Sequence, residues 1–145
     1  MSSDPSLALQ QAIYGVLMGA PFQTACGVTV GVYDHVPAAA TPPYVVISDI
    51  QDDGAGVQAY DGSELHANLV VWSVKPGKVE LRTIANAIRM FLAPRSDLTP
   101  PFSLAAAGHR LVTWRRVQTI PMNDPDGISS KASVMIEYLT EPLTA

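Results

Sequence analysis

The chain has 145 residues, 48% of them hydrophobic and 15% charged, and a net charge of −4. That is enough apolar side chain for one folded domain, 1–145, and it excludes a disordered chain. The acidic balance excludes a field of Lys and Arg for gripping nucleic acid, and no apolar run approaches the ~20 residues of a membrane span.

Asp4-Pro5 opens the first predicted helix, with Asp4 as N-cap and Pro5 at the first helical position, where a missing N–H costs nothing. Leu9, Ala12, Ile13, Val16, Leu17 and Ala20 then recur on one face at helical spacing, and Gly19 and Pro21 end the helix. Val28 to Tyr33 reads as a short strand, stopped by Pro37 and the small-residue stretch Ala38 to Pro43. Tyr44 to Ile50, rich in β-branched and aromatic residues, is the next strand. A polar, Gly-containing connection follows from Gln51 to Ser63. Glu64 to Val74 is a long strand whose two faces both turn apolar from Leu69 onward, the pattern of an interior strand covered on both sides. Its length predicts that the Glu64 end projects beyond the core as a ribbon. Pro76-Gly77 opens a second helix with a stripe of Leu81, Ile84, Ala85, Ile88, Phe91 and Leu92, Arg82 and Arg89 on the other side, and Pro94 as its close. The stretch from Pro94 to Ala107 is loop-like. His109 to Ile120 and Lys131 to Thr140 read as two long strands joined by the turn Asp124-Pro125-Asp126-Gly127. This order predicts an α+β fold: an antiparallel or mixed sheet of about five strands, two α-helices on one face, and long protruding hairpins.

Charge is divided unevenly along the chain. Seven acids and no Lys or Arg precede Lys75, whereas the remainder holds nine basic residues against six acids. Either the two parts mix in space, or each protomer has opposite charges to offer a neighbour. The first ten residues lack the basic flank of a secretory signal, and the single cysteine, Cys26, fits a reducing compartment.

Motifs that could carry chemistry fail on their context. Gly54-Ala55-Gly56-Val57-Gln58-Ala59 matches a dinucleotide fingerprint, but Asp61-Gly62 and a strand follow where a helix is required. His35, His66 and His109 could join Cys26 around zinc, yet they lie in separate elements with no paired-ligand spacing. Asp34-His35 as an acid–base dyad would put neighbouring strand residues on opposite sides of the sheet. The Asp124 turn lacks an acid at Met122 and a bidentate Glu at Ser133, which a calcium loop needs. Trp114-Arg115-Arg116 reads as a solvated strand face rather than a base-stacking site. No catalytic residue, cofactor or metal site is expected.

Five ordered phrases do point somewhere: Val32-Tyr33-Asp34-His35-Val36-Pro37, Pro43-Tyr44-Val45-Val46-Ile47, Leu69-Val70-Val71-Trp72-Ser73, Gly108-His109-Arg110-Leu111-Val112, and Asp124-Pro125-Asp126-Gly127 leading to Glu137-Tyr138-Leu139-Thr140-Glu141-Pro142. With the two helices, this series resembles the tail-completion family of long-tailed phages and gene transfer agents, which includes tail terminators and tail-to-head joining proteins. The resemblance runs from about Leu7 to Pro142. It implies a structural virion protein at the head–tail junction, present in the host cytoplasm during assembly. It further implies a homo-oligomeric ring, a hexamer, that caps the tail tube protein, stops tube growth and faces a neck or stopper protein while DNA passes through its lumen without specific binding. Another neck or tail ring, a stopper or adaptor, is the alternative within the particle. A small soluble ligand-binding α+β domain is the alternative outside it. The polar tips of the longest strands nominate contact residues for tube or neck, in the loop Gln51 to Ser63 and the turn Met122 to Gly127. These are Asp52, Asp53, Tyr60, Asp61, Glu64, Asp124 and Asp126.

Overall fold

The computed structural model describes residues 4–52, 62–76, 78–95, 99–123 and 129–143, without the side chains of Asp49 and Asn123. Helix α1 (Pro5–Met18) starts as the sequence dictates: the Asp4 carboxylate accepts from the Ser6 N–H at 3.0 Å, and Pro5 occupies the first turn. It ends at Gly19, but Pro21 does not merely stop it. Pro21 lies in the first turn of a further short helix, α2 (Ala20–Cys26), closed by Gly27 in the left-handed conformation at φ 75°. The fold therefore has three helices, not two. The third, α3 (Val79–Leu92), buries Leu81, Ile84, Ala85, Ala87, Ile88 and Leu92.

Five strands form one mixed sheet in the order β1-β2-β3-β5-β4. β1 (Gly31–Tyr33) runs parallel to β2 (Tyr44–Asp52); β3 (Ser63–Ser73), β5 (Ser130–Pro142) and β4 (His109–Asn123) are joined by antiparallel pairings. β1 is shorter than predicted because the Gln23 side chain takes both backbone groups of Val30: it donates to the Val30 carbonyl at 2.9 Å and accepts from its N–H at 2.7 Å. The same amide donates to the Leu17 carbonyl at 2.9 Å, so one residue clips the end of α1 to the approach to β1.

Alternation along the strands sends one set of side chains under the helices. Leu65, Ala67, Leu69 and Val71 of β3 and Val134, Ile136 and Tyr138 of β5 are fully buried there against Leu9, Ile13, Leu17, Ile84 and Ile88. Each such aliphatic side chain contributes about 1.5–3 kcal/mol. The centre of the layer between helices and sheet is filled with apolar side chains, and clefts open only at its margins, one of ≈ 520 Å³ between α1 and the β1–β2 side among them. Tyr138 brings a phenol into this layer, and its hydroxyl donates to the Leu92 carbonyl in the last turn of α3 at 2.6 Å.

Two expectations about β3 change. It is an interior strand, between β2 and β5, but the helices cover one of its faces only. The other alternates between half-buried residues: Glu64, His66, Asn68, Val70 and Trp72. Nor does its Glu64 end stand out as a free ribbon, because β5 is long enough to pair with all of β3, from Ser63 opposite Thr140 to Ser73 opposite Ser130. On the far margin, β4 bulges at Val112 and again at Val117, and carries Pro121 within the strand.

Candidate assembly surfaces

Three surfaces stand out among the described residues. The first is the sheet face turned away from the helices. At one end the register lines up Tyr44, Trp72, Lys131 and Met122 in one cross-strand row, and Val46, Val70, Ser133 and Ile120 in the next. Tyr44 stacks on Trp72 at 6.4 Å and meets Tyr33 edge-on at 5.8 Å. The Lys131 ammonium lies 5.0 Å from the Trp72 ring centre. Gly31 lacks a side chain where the Tyr33 ring comes close; a Cβ there would stand 2.9 Å from it. Ile120 and Met122 are 43% and 38% exposed, so the band is apolar and only half covered.

The second surface is the charged end of the same face. Glu64 and His66 approach to 3.1 Å, and Glu137, opposite His66 in the register, pairs with Arg115 at 3.2 Å. Arg110 and Glu141 make a further pair at its edge. Glu64, His66 and Glu137 bring one ligand-type atom each within 4.8 Å of the others. The Arg115 guanidinium already supplies a cation to that group. These exposed pairs are cross-strand ties of the kind worth a few tenths of a kcal/mol up to ~1 kcal/mol.

The third surface is a basic cleft between α3 and β4. Strand alternation separates two neighbouring arginines: Arg115 pairs with Glu137 on the open face, whereas Arg116 is level with Ile136, whose side chain is under the helices. Arg82, Arg89, Arg95 and Arg116 line one pocket of ≈ 290 Å³ with Asn86 and Thr119. Two of them hold neutral partners: Arg89 donates to Asn86 Oδ1 at 3.4 Å, and Arg116 to Thr119 Oγ1 at 3.3 Å. None of the four pairs with a carboxylate among the described residues. Desolvation lowers the Arg89 pKa, and the Arg95 and Arg116 charges lower it further. Trp114 does not stack outward; its Nε1–H donates to the Pro94 carbonyl at 3.1 Å, tying β4 to the end of α3.

The nominated contact residues do not gather at one place. Asp52 is the exposed last residue of β2, and Glu64 lies inside the sheet beside His66. Asp53, Tyr60, Asp61, Asp124 and Asp126 lie outside the described residues, as do the Gly54–Ala59 motif and the Asp124 turn. The zinc candidates are dispersed: Cys26 is buried in α2, His35 is exposed past β1, His66 is on the open face and His109 is buried at the start of β4. Asp34 and His35 lie in a bend after β1 ends at Tyr33, not on the strand itself. Sequence reasoning missed the basic cleft, although Arg82 and Arg89, two helical turns apart, already share one side of α3.

The described residues thus present an α+β sheet with an apolar helix–sheet core, a half-covered apolar band on its open face and a cleft lined by arginines. The sequence profile of the tail completion protein gp17 family matches residues 11–141, and the chain belongs to that family. It is thus a structural virion protein of a phage or gene-transfer-type tail, which assembles with other tail and head proteins and is not an enzyme. In fold it is similar to a chain of the virion of a native gene transfer agent particle, at TM-score 0.75 and 21% identity over 96% of this chain and 99% of that one. It is also similar to the bacteriophage SPP1 gp17 protein, at TM-score 0.49 and 18% identity over 97% of this chain and 94% of that one. No curated protein matches the chain.

Proposed function

We propose that six copies of this chain close a ring at the head–tail junction, cap the last ring of tail-tube subunits and halt tube growth. One face of the ring complements the tube; the other lacks the surface by which tube subunits add to one another and meets a neck or stopper protein. DNA passes through the lumen unread. The observation that carries this reading is the half-covered apolar band of Tyr44, Trp72, Val46, Val70, Ile120 and Met122 on the open face of the sheet. An apolar band of this extent on a protein built for a particle is a surface that neighbours cover. Family membership supplies the place in the particle.

Asp53, Tyr60, Asp61, Asp124 and Asp126, in the two connections that join the longest strands, are assigned to the tube or neck. Native mass spectrometry and electron microscopy of the purified chain test the ring, with a closed six-membered species as the expected result. A strict monomer, both alone and with tail-tube protein, overturns it. Replacing Asp53 and Asp61 by Ala leaves the ring intact and yields overlong or headless tails; a normal particle yield removes that loop from the contact. A ring that binds neck protein but never tube protein favours the stopper or adaptor reading instead.

A further inference from the structure

We infer that the arginine cleft between α3 and β4 is a contact for the phosphate backbone of double-stranded DNA, made without reading its bases. The inference rests on the reading above only in taking DNA as the polyanion that passes this junction, and it names the surface that meets it.

The cleft is part of a longer trough. A second cleft of ≈ 520 Å³ adjoins it, sharing Arg89, Arg95 and Arg116 and adding Arg115 and Glu137. With Arg82 from the first, five arginines then line the trough against one carboxylate, and Arg115 already holds that carboxylate at 3.2 Å. Arg82, Arg95 and Arg116 are exposed, and Arg89 is half-buried. Exposure suits this partner, since phosphates are met by cations that extend from a surface, and each one neutralised releases condensed counterions. Desolvation and then the neighbouring Arg95 and Arg116 charges work against the Arg89 cation, and a phosphate beside it offsets both. Along α3, Arg82 and Arg89 stand ~10 Å apart. One strand of B-form DNA passes about three phosphates over that length of its axis.

The lining favours a nucleic acid over an acidic protein segment. Beside its four arginines the first cleft is lined by Asn86, Thr119 and Ala85, so polar groups surround the charges. Protein partners bring an apolar centre to their contacts, whereas DNA interfaces are polar and strongly positive. The apolar contact surface of this chain is elsewhere, on the open face of the sheet. A trough does not enter a groove of the duplex as a protruding helix or β-ribbon does, so its contacts stay on the backbone. Trp114 is half-buried with its Nε1–H on the Pro94 carbonyl, which leaves guanidinium, amide and hydroxyl groups to face the phosphates. The net charge of −4 keeps the contact local and weak for one copy. Several copies around one duplex add their contacts.

Anisotropy of a labelled short duplex, titrated with the full chain at several salt concentrations, tests it. Wild type is expected to bind duplexes of unrelated sequence alike, with affinity that falls steeply as salt rises. R95Q/R116Q, with circular dichroism to show that it folds, is expected to bind about tenfold more weakly and to lower the salt slope by about two. R82Q/R95Q serves where that variant does not fold. R110Q removes an arginine paired with Glu141 outside the trough, and is expected to bind as wild type does. A wild-type chain that ignores duplex at low salt overturns the inference, as does binding that R95Q/R116Q leaves unchanged. So does equal or tighter binding of poly-glutamate, which would make an acidic protein segment the occupant. Loss of the ring in R95Q/R116Q by native mass spectrometry also overturns it, because the cleft would then be a junction between copies. A wild-type chain that binds DNA through these arginines and never closes a ring removes the ring reading and leaves this inference standing.

Discussion

The Tyr138 hydroxyl is wholly buried and donates to the Leu92 carbonyl, one of the helix-end acceptors that α3 cannot satisfy within itself. Tyr138→Phe keeps the ring packing against Phe102 and leaves that acceptor dry, so it is expected to cost about 1–3 kcal/mol of stability in urea unfolding. Cys26 gives a second residue-level outcome. Desolvation pushes its thiol pKa up to about 11 from an ordinary 9.0. The unfolded chain therefore loses this proton near pH 9 while the folded chain keeps it, and stability falls between pH 9 and about 11 by at most about 2–3 kcal/mol. The drop between pH 8 and pH 10.5 in the urea midpoint should be smaller in Cys26→Ala. Burial drives the Tyr138 phenol in the same direction, so a residual alkaline loss in that variant is expected.

Among the elements, those with strong local signals were legible and those set by distant partners were not. α1 was written in Asp4-Pro5 and in the stripe of Leu9, Ile13 and Leu17; α3 was written in its apolar spacing. The α+β class and the two long C-terminal strands followed from pattern alone. α2 was hidden because Pro21 after Gly19 reads equally well as the end of one helix and the first turn of another. Only Gln23, bonding to Leu17 and Val30, decides for the second helix, and that depends on tertiary position. Gln23→Ala is expected to remove about 2–3 kcal/mol, since three hydrogen bonds to backbone groups go at once; early hydrogen exchange at Val30 and in the last turn of α1 would show the local origin. The assembly surfaces were the least legible. Leu69 to Trp72 announced an apolar second face, but one chain does not show that its cover comes from outside. The basic cleft needed the packing of α3 against β4: strand alternation parts Arg116 from Arg115, but nothing local shows that Arg82, Arg89 and Arg95 come to the same place.

For the molecule as a whole, fold and assembly should come apart under mutation. Val70→Lys places a charge on the uncovered face, far from the filled helix–sheet layer. It is expected to leave the melting temperature of the isolated chain nearly unchanged, as surface substitutions usually do within about 0.5 kcal/mol, and to abolish assembly seen by native mass. Loss of both together would mean that the open face belongs to the protomer's own core.

The irregular outer strand β4 has a bearing on how such a molecule stops adding copies. A straight, fully spaced strand would offer amide and carbonyl groups to any extended chain, and stacking could proceed without limit into fibres. Two kinks and Pro121 spoil that template along its length, so a neighbour must be recognised by side chains at one level and one angle. In the proposed ring, a junction that is angular, not ladder-like, turns by a fixed amount with every copy and meets its own beginning. In the capping role proposed above, the component that halts the tube is itself kept, by this irregularity of its outermost strand, from adding copies without end.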